Sequence, residues 1–296
     1  MGTIDVTLFN DPGCPWGYSE SPALAVLRWR YGTQLNWRLV TIGLAETTER
    51  YEQAGYTPTR STVGQLMFRA RYGMPFALTP RPRVLATARA CRAIVAARLL
   101  APGREFDVLR ALQLAWFNTT LLLDEDGDLA NALQAVPDLD AQAIVAVLDD
   151  PRVSDAYEAD KRDTRQAEGG PTHFQGKARQ TDGPVRYSAP SLVFESRDAG
   201  GGVRRLEAGG FQTIEAYDVL IANLDPTLRR EPAPEGPAPA LERFPGGLVT
   251  QEVAAIMAKG NNPPDRAAAE RALIELLGDG RARRTPLGDD ALWQPA

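Results

Sequence analysis

Apolar residues near the start of the chain follow a strand–helix–strand pattern. Residues 3–9 form a short apolar run that is typical of a β-strand. A turn-prone segment follows, and a helix is predicted from Pro15 to about Tyr31, because proline is favoured at the first helical position. Pro22 should kink this helix. Residues 34–42 alternate and are rich in β-formers, so a second strand, parallel to the first, is predicted after a right-handed crossover.

From Ala45 to about Gln166 the spacing of apolar residues is helical throughout, with one such residue every three or four positions. One stripe of this kind consists of Val84, Ala88, Cys91, Val95 and Leu99. A stretch rich in glycine, proline and polar residues follows at 168–183, where we expect an ordered surface loop. The first strand pair is therefore followed by a large helical insertion.

Two further strands and a helix are predicted after this insertion. Residues 191–195 are an apolar run that predicts a strand, and the segment GVRRLEAG predicts its partner after a glycine-rich turn. A helix should begin at about Thr213, which is a suitable N-cap residue. Its buried face would carry Ile214, Tyr217, Ile221 and Leu224.

This order of elements predicts an α/β fold built from two separated segments. We assign residues 1–44 and 185–228 to the α/β domain and residues 45–184 to the helical insertion with its loop. The sequence EPAPEGPAPALERFPGG indicates a Pro/Ala-rich linker, assigned to 229–245. Residues 246–296 combine two helical patterns with a basic, glycine-containing end, and this small unit resembles a winged helix.

Composition and charge narrow the range of functions. The chain has 296 residues, of which 44% are hydrophobic and 24% are charged, as in an ordinary globular protein. Its formal net charge of -5 gives no general attraction to nucleic acid. No run approaches the roughly 20 apolar residues of a membrane span. The start of the chain lacks the features of a secretory signal, so we expect a cytoplasmic protein with neither nucleic acid nor membrane as partner.

Residues that could carry chemistry are few. The two cysteines, Cys14 and Cys91, are too few for a disulfide scaffold or a thiolate zinc site. His173 is the single histidine, so a centre with several histidine ligands is not expected. We therefore expect no metal and no tightly bound cofactor, and the cysteines become the main candidates.

Cys14 stands between the first strand and the first helix, in the sequence NDPGCPWGY. The thiolate is the nucleophile in cysteine chemistry, and the positive end of a helix favours the thiolate. Cys14 directly precedes Pro15 at the predicted helix start, so we predict a depressed pKa for its thiol. Trp16 would shield the sulfur, and Gly17 would let another molecule approach. The alternative is a cysteine that happens to lie in a strand–helix turn.

The turn DPGCPWGY, the helical insertion and the later segment YSAPSLVF together resemble the DsbA-like branch of the thioredoxin superfamily. They resemble most the FrnE-like proteins, which are similar to kappa-class glutathione transferases and 2-hydroxychromene-2-carboxylate isomerases. The resemblance covers about residues 3–225 and implies a thioredoxin-like fold and thiol–disulfide oxidoreductase activity. It also implies a cis Ala189–Pro190 bond lying against the sulfur of Cys14, with Ser188 as a further backbone contact to a bound thiol or peptide.

One departure from that family changes the expected chemistry: Gly17 stands where the FrnE-like pattern has a second cysteine. Cys14 therefore lacks a local disulfide partner. In a monothiol cycle it attacks a mixed disulfide, becomes S-thiolated and is released by glutathione or mycothiol acting as cosubstrate. Alternatively, the pocket binds a small thiol, and the protein is a transferase or isomerase. A third hypothesis is a redox-inactive thioredoxin-fold binding module whose C-terminal unit recruits a partner.

Two weaker candidates stand beside Cys14. Cys91 lies on an apolar helical stripe, where core packing explains it, but an insertion that covers the site could also bring it close as a resolving thiol. His173 lies in the loop before Pro190, where it could orient a substrate or help to activate Cys14, or simply be solvated. The expected partners are a small thiol or disulfide and also a protein disulfide. The sequence leaves the substrate, the physiological thiol and the oligomeric state open.

Overall fold

The computed structural model describes residues 3–181, 183–197, 200–260 and 262–296. The first strand, β1 (Ile4–Asn10), pairs in parallel with β2 (Leu35–Thr41). Between them the chain forms α1 (Pro15–Ser19) and α2 (Ser21–Tyr31), followed by a single turn of 3-10 helix. The predicted strand–helix–strand unit is confirmed.

The first helical segment is interrupted at Glu20, which separates α1 from α2. Pro22 lies in the first turn of α2, where the missing N–H removes no helical hydrogen bond. Glu20 is buried and accepts hydrogen bonds from the Tyr217 hydroxyl at 2.9 Å and from the Gln212 backbone N–H at 3.3 Å. The predicted single helix with a kink at Pro22 is therefore two helices, and the break between them at Glu20 places a carboxyl group inside the protein.

The other half of the sheet comes from the far end of the α/β domain. Strand β3 (Ser191–Arg197) runs antiparallel to β1, and β4 (Val203–Gly209) runs antiparallel to β3, giving the strand order β2-β1-β3-β4. Helix α11 (Ile214–Leu224) packs against β3 and β4 and has Thr213 at its N-cap position. This is the predicted thioredoxin-like α/β fold with a helical insertion.

The insertion consists of eight helices among the described residues. They are α3 (Glu49–Gln53), α4 (Pro58–Tyr72), α5 (Ala88–Leu100), α6 (Glu105–Asn118), α7 (Asp126–Leu133), α8 (Ala141–Ala146), α9 (Pro151–Thr164) and α10 (Pro171–Phe174). Apolar residues of α5 and α6 belong to the same hydrophobic core as apolar residues of β1, β2 and β3. The insertion therefore does not form a separate hydrophobic body.

The prediction of helix throughout the insertion is wrong between α4 and α5. Residues 73–87 contain no helix, and the segment reads GMPFALTPRPRVLAT. Pro75, Pro80 and Pro82 remove backbone donors and disfavour the helical conformation of the residues before them. Buried Met74 and Phe76 still anchor the segment in the core. This extended segment borders the candidate site described below.

The C-terminal unit has the element order helix, strand, helix, helix, strand, strand. Its elements are α12 (Ala238–Arg243), β5 (Leu248–Val249), α13 (Thr250–Met257), α14 (Arg266–Gly278), β6 (Ala282–Leu287) and β7 (Asp290–Pro295). The three strands form a second sheet in the order β5-β7-β6. The winged-helix-like description remains an interpretation of this order.

The segment predicted as a linker, 229–245, is partly helical and is held against the α/β domain. It contains α12, whose Leu241 is buried in the core of the C-terminal unit. The indole N–H of Trp29 on α2 donates to the Pro232 carbonyl at 2.8 Å. Alternating proline and alanine suggested an extended tether, but the apolar face of α12 packs against neighbouring elements and stabilises a helix.

The C-terminal unit shares its core with α2. Val26 and Trp29 of α2 belong to the same buried cluster as Trp293 of β7. An ion pair joins the unit to α6 as well, because both terminal nitrogens of the half-buried Arg110 donate to the buried Glu252 carboxylate at 2.7 Å. The unit is therefore docked on the rest of the protein by apolar packing and by a bidentate ion pair.

No helix in the described part of the chain is long and apolar enough to cross a membrane.

Candidate active site

Cys14 lies where β1 meets α1, as the sequence predicts. It is the N-cap residue of α1, and Pro15 occupies the first helical position. The Cys14 backbone N–H donates to the Asp11 carbonyl at 3.1 Å, which closes the turn between strand and helix. The sulfur is therefore carried by a tight turn at the carboxyl end of a central strand.

The segment before β3 lies directly against this sulfur. Cys14 Sγ donates to the Ala189 carbonyl oxygen at 3.3 Å, and the Ala189–Pro190 peptide bond is cis. The Ser188 hydroxyl donates to the Lys177 carbonyl at 2.6 Å, and the backbone contact expected of Ser188 stays a prediction. The fold thus brings together two sequence-predicted residues, Cys14 and Ala189, that are 175 positions apart.

The prediction of a depressed pKa for Cys14 is wrong. Burial raises the pKa of the thiol from its ordinary value of 9.0 to about 12, and the charge of Asp11 acts in the same direction. The backbone N–H groups of Trp16 and Gly17 lower the pKa, and so does the charge of Arg186, but these effects are smaller than the cost of desolvating a thiolate. The residue is 5% exposed. Position at a helix start therefore does not ionise this sulfur.

Alkylation of Cys14 by iodoacetamide is expected to be slow at neutral pH and to accelerate as the pH rises past 9.0, because only the thiolate reacts. The rate is measured by intact mass spectrometry from about pH 6 to pH 11, in a Cys91→Ser variant so that one thiol is followed. A reactivity midpoint below the ordinary value would contradict the buried, protonated thiol.

Asp11 lies beneath the turn and contacts the second cysteine. Its Oδ2 accepts hydrogen bonds from the Leu44 N–H at 2.8 Å, the Thr87 hydroxyl at 3.1 Å and Cys91 Sγ at 3.4 Å. Burial raises the pKa of this carboxyl, and the hydrogen bonds to it oppose that shift. Asp11 therefore ties the cysteine turn to β2 and to α5.

Cys91 occupies the core position that its apolar stripe predicts. It is completely buried and belongs to the main hydrophobic cluster. Burial raises the pKa of its thiol well above 9.0, and the neighbouring Asp11 carboxyl adds to this shift. Neither cysteine is in a disulfide, and each thiol makes a hydrogen bond, Cys14 to the Ala189 carbonyl and Cys91 to the Asp11 carboxylate.

Gly17 does not open a space for an incoming molecule, contrary to the prediction. A Cβ built on Gly17 would lie 2.0 Å from Oδ1 of Asn10 and 2.9 Å from its Cγ. Asn10 is buried, and its Oδ1 accepts a hydrogen bond from the Asp11 N–H at 2.8 Å. The side chain of Asn10 thus takes the place that a second cysteine would need.

Trp16 forms part of an aromatic cap over the cysteine turn. We give this name to Trp16, Phe68, Tyr72 and Phe211. Trp16 packs edge-on against Phe68 with ring centroids 4.9 Å apart, and Tyr72 lies 4.6 Å from Phe211. The cap joins α4 of the insertion to Phe211, just beyond the end of β4, both through Trp16 and through the direct contact of Tyr72 with Phe211.

His173 lies on the exposed surface of α10. Its Nδ1 accepts a hydrogen bond from the Gly169 N–H at 3.0 Å, and its ring stacks on exposed Phe174. These contacts are local. His173 and Cys14 are not linked by a hydrogen bond in the described part of the chain, and the role suggested for this residue stays a prediction.

Sequence reasoning missed three residues that shape the surroundings of the sulfur: Asn10, Asp11 and Arg186. The segment Asn10–Gly13 reads as a turn, which explains the first two residues without assigning them to a site. The sequence did contain one signal: Asn10 and Asp11 are two adjacent polar residues at the end of an apolar strand, where buried polar groups need partners. Arg186, which is buried beside the sulfur, had no such signal in its own segment.

A cleft of about 510 Å³ opens beside the cysteine turn. Gly13, Pro15 and Trp16 line one side of it, and residues of α4 and of the extended segment 73–87 line the others. A volume of this size is typical of a site for a small molecule.

The four-stranded sheet, the cysteine at the start of α1 and the Ala189 carbonyl against its sulfur define a protein of the thioredoxin-fold class with a thiol site. The profile of the DSBA-like thioredoxin domain matches residues 5–188, which is more than half of the chain. The chain belongs to this family, and the predicted resemblance is confirmed.

Two of the solved structures that match the chain share its fold. A candidate protein disulfide isomerase from Nitrosomonas europaea aligns with a TM-score of 0.57 and 18% identity, covering 75% of this chain and 97% of that one. A candidate DsbA oxidoreductase from Streptomyces coelicolor aligns with a TM-score of 0.54 and 17% identity, covering 76% of this chain and 91% of that one. The cytosolic disulfide reductase DsbM from Pseudomonas aeruginosa aligns with a TM-score of 0.45 and 19% identity, covering 68% of this chain and 88% of that one. No curated protein matches the chain significantly.

Proposed function

We propose that this protein is a thiol–disulfide oxidoreductase that works with one sulfur, that of Cys14, and with a low-molecular-weight thiol such as glutathione or mycothiol as cosubstrate. The observation that carries the proposal is the 3.3 Å hydrogen bond between Cys14 Sγ and the Ala189 carbonyl oxygen. It puts the bend that leads into β3 beside the sulfur, and main-chain groups of this bend would hydrogen-bond the backbone of a thiol-containing peptide. Pro15 and Trp16 would form the near wall of the thiol site.

The monothiol cycle has two exchange steps. The Cys14 sulfur attacks one sulfur of a disulfide RSSR, the S–S bond breaks, and Cys14–S–S–R forms while the thiol proton leaves with the departing RS group as RSH. A second thiol then attacks the R sulfur, which regenerates the Cys14 thiol and releases a new disulfide. The cosubstrate supplies the electrons, so no second protein cysteine is required.

The raised pKa of Cys14 sets the expected pace of this cycle. A thiol that is protonated at neutral pH attacks slowly. A sulfur with a high pKa is also a poor leaving group, so the second step is slow as well. We therefore expect both exchange steps to be slow, so that the mixed disulfide on Cys14 is long-lived.

Incubation with oxidised glutathione is expected to add one glutathionyl group to the native protein. Cys14→Ser should abolish the adduct, and Cys91→Ser should retain it, because Cys91 is completely buried. The measurement is intact mass spectrometry on the folded protein at neutral and at alkaline pH, with release by dithiothreitol as the check that the bond is a disulfide. An adduct that survives Cys14→Ser, or its absence from the native protein even at alkaline pH, would refute the monothiol proposal.

A second candidate is a thiol-dependent transferase or isomerase. The observation in its favour is the cleft of about 510 Å³ beside the cysteine turn, which has room for a second substrate next to the thiol. In this case Cys14, a protonated donor, would orient a thiol that binds without a covalent bond. Activity would then survive Cys14→Ser, whereas the monothiol cycle would not.

The third hypothesis is a redox-inactive binding module, and the only observation in its favour is the raised pKa of Cys14. Its other premise, a C-terminal unit on a free tether, has no support, because that unit packs on α2. The mass-spectrometry experiment separates this hypothesis from the monothiol cycle.

A further inference from the structure

The lining of the cleft beside Cys14 carries an excess of positive charge. Three arginines line it, namely Arg60, Arg81 and Arg83, and its lining among the described residues includes neither aspartate nor glutamate. The whole chain has a formal net charge of -5. The charge in the cleft is therefore opposite in sign to that of the protein as a whole.

Two of these arginines have no carboxylate partner. Arg60 donates to the Gly55 carbonyl at 3.0 Å and lies over the Tyr56 ring. Arg81 donates from Nε to the Leu121 carbonyl at 3.0 Å and from Nη2 to backbone carbonyls of α6. In the described part of the chain, no carboxylate oxygen lies within 4 Å of either guanidinium, and Nη1 of Arg81 makes no hydrogen bond. The positive charges of Arg60 and Arg81 are therefore not neutralised by a contacting carboxylate.

Arg83 provides the contrast within the same cleft. It forms a bidentate pair with Asp124 at 2.6 and 2.8 Å and a further bond to Glu125. Asp124 also acts on Arg81 at longer range, but burial dominates there and lowers the pKa of the Arg81 guanidinium to about 10. Arg81 is half-buried, and a half-buried cation without a contacting anion is costly, so an anionic ligand would remove that cost. Arg60 is exposed, so its charge is accessible to a ligand from solvent.

We propose that this cleft binds the carboxylate-bearing part of the thiol or disulfide that reacts at Cys14, with Arg60 and Arg81 supplying the positive charge. This rests on the proposed function, and it narrows the substrate class to acidic thiols and disulfides. Guanidinium groups with free N–H donors hydrogen-bond carboxylates strongly. The first turn of α4, including Ser61, also lines the cleft and adds hydroxyl donors and the positive end of a 15-residue helix.

The cleft reaches the cysteine turn, although Cys14 itself is buried and is not among the lining residues. Gly13 and Pro15, the neighbours of Cys14 in the chain, both line the cleft. A carboxylate held on the α4 side therefore belongs to a ligand that reaches the cysteine turn. Selectivity for an acidic disulfide over a neutral one would follow from the two arginines and not from the sulfur.

The test compares two disulfides that differ in charge, 3,3′-dithiodipropionate with two carboxylates and 2-hydroxyethyl disulfide with none. Intact mass spectrometry gives the rate of Cys14 mixed-disulfide formation with each. We expect the acidic disulfide to react about tenfold faster in the native protein, and this advantage to shrink at high salt. Arg60→Gln should lower the acidic-to-neutral rate ratio by about the same factor, and Arg60→Glu should reverse the preference.

Arg71→Gln is the matched control, because Arg71 lies on the same helix, is exposed and does not line the cleft. Removal of this charge should leave the rate ratio unchanged. Equal rates for the two disulfides in the native protein, or equal effects of Arg60→Gln and Arg71→Gln, would overturn the subsite.

Failure of the cleft proposal can be told apart from failure of the proposed function. If neither disulfide reacts at Cys14, calorimetric titration of the Cys14→Ser variant with both compounds tests the cleft by itself. Binding of 3,3′-dithiodipropionate that weakens in Cys14→Ser/Arg60→Gln would support the subsite without the redox chemistry. Absence of a charge preference in that titration would overturn it.

Discussion

Gly17→Cys alone is expected to destabilise the protein rather than to restore a two-cysteine site. The new Cβ would meet Asn10 Oδ1 at 2.0 Å, a separation that cannot persist. Asn10 cannot simply turn away, because it is buried and its Oδ1 holds the Asp11 N–H at 2.8 Å. Overpacking of this kind costs about 1–3 kcal/mol. Urea unfolding of the reduced variant measures the loss.

Combining Asn10→Ala with Gly17→Cys should relieve the clash and give a disulfide between Cys14 and the new sulfur. Asn10 Nδ2 is buried without a hydrogen-bond partner, so Asn10→Ala removes an unsatisfied donor together with the obstruction. The double variant should be at least about 1 kcal/mol more stable than the sum of the single changes predicts, since the two residues are in contact.

Thiol counts on the air-oxidised double variant, with Asn10→Ala as the matched control, complete this experiment. Loss of two free thiols in the double variant and none in the control is the expected result. A Gly17→Cys protein as stable as the native one, or additive effects of the two substitutions, would show that Asn10 does not exclude a second cysteine.

The fold was largely predictable because its main elements have strong local patterns. The apolar runs at 3–9 and 191–195 largely coincide with β1 and β3. On α11 the predicted residues Tyr217, Ile221 and Leu224 are buried, and Ile214 is half-buried. The failures have local causes too. Three prolines interrupt the helical texture at 73–87, and a Pro/Ala-rich composition concealed α12. The docking of the C-terminal unit on α2 depends on Trp29 and Trp293, which only the folded chain brings together.

The site was predictable in position but not in electrostatics. The sequence around Cys14 and the Ala189–Pro190 step identify the two walls, because both are carried by short motifs. The pKa of the thiol depends on how completely distant elements bury it, and a motif contains no such information. Asn10 filling the space beside Gly17 is a contact between two ordinary residues, so no pattern indicates it.

Glu20→Gln is expected to stabilise the protein at alkaline pH by several kcal/mol and to have little effect near pH 5. Burial raises the pKa of the Glu20 carboxyl from 4.5 to about 8, and the hydrogen bonds from Tyr217 and Gln212 only partly oppose this shift. Between these two values the folded protein binds more protons than the unfolded chain, so the contribution of Glu20 to stability falls as the pH rises. Glutamine cannot ionise, and it can still accept from the Gln212 N–H while donating to the Tyr217 oxygen.

Urea unfolding of native protein and Glu20→Gln at about pH 5 and pH 8.5 measures the difference, and the other titrating groups cancel in the comparison. Glu242→Gln, at an exposed position on α12, is the matched control and should show no such pH dependence. A difference between native protein and Glu20→Gln that is the same at both pH values would mean that Glu20 ionises normally in the fold. Glu20 lies between α1 and α2 and is completely buried. Normal ionisation would therefore require water to reach its carboxyl group.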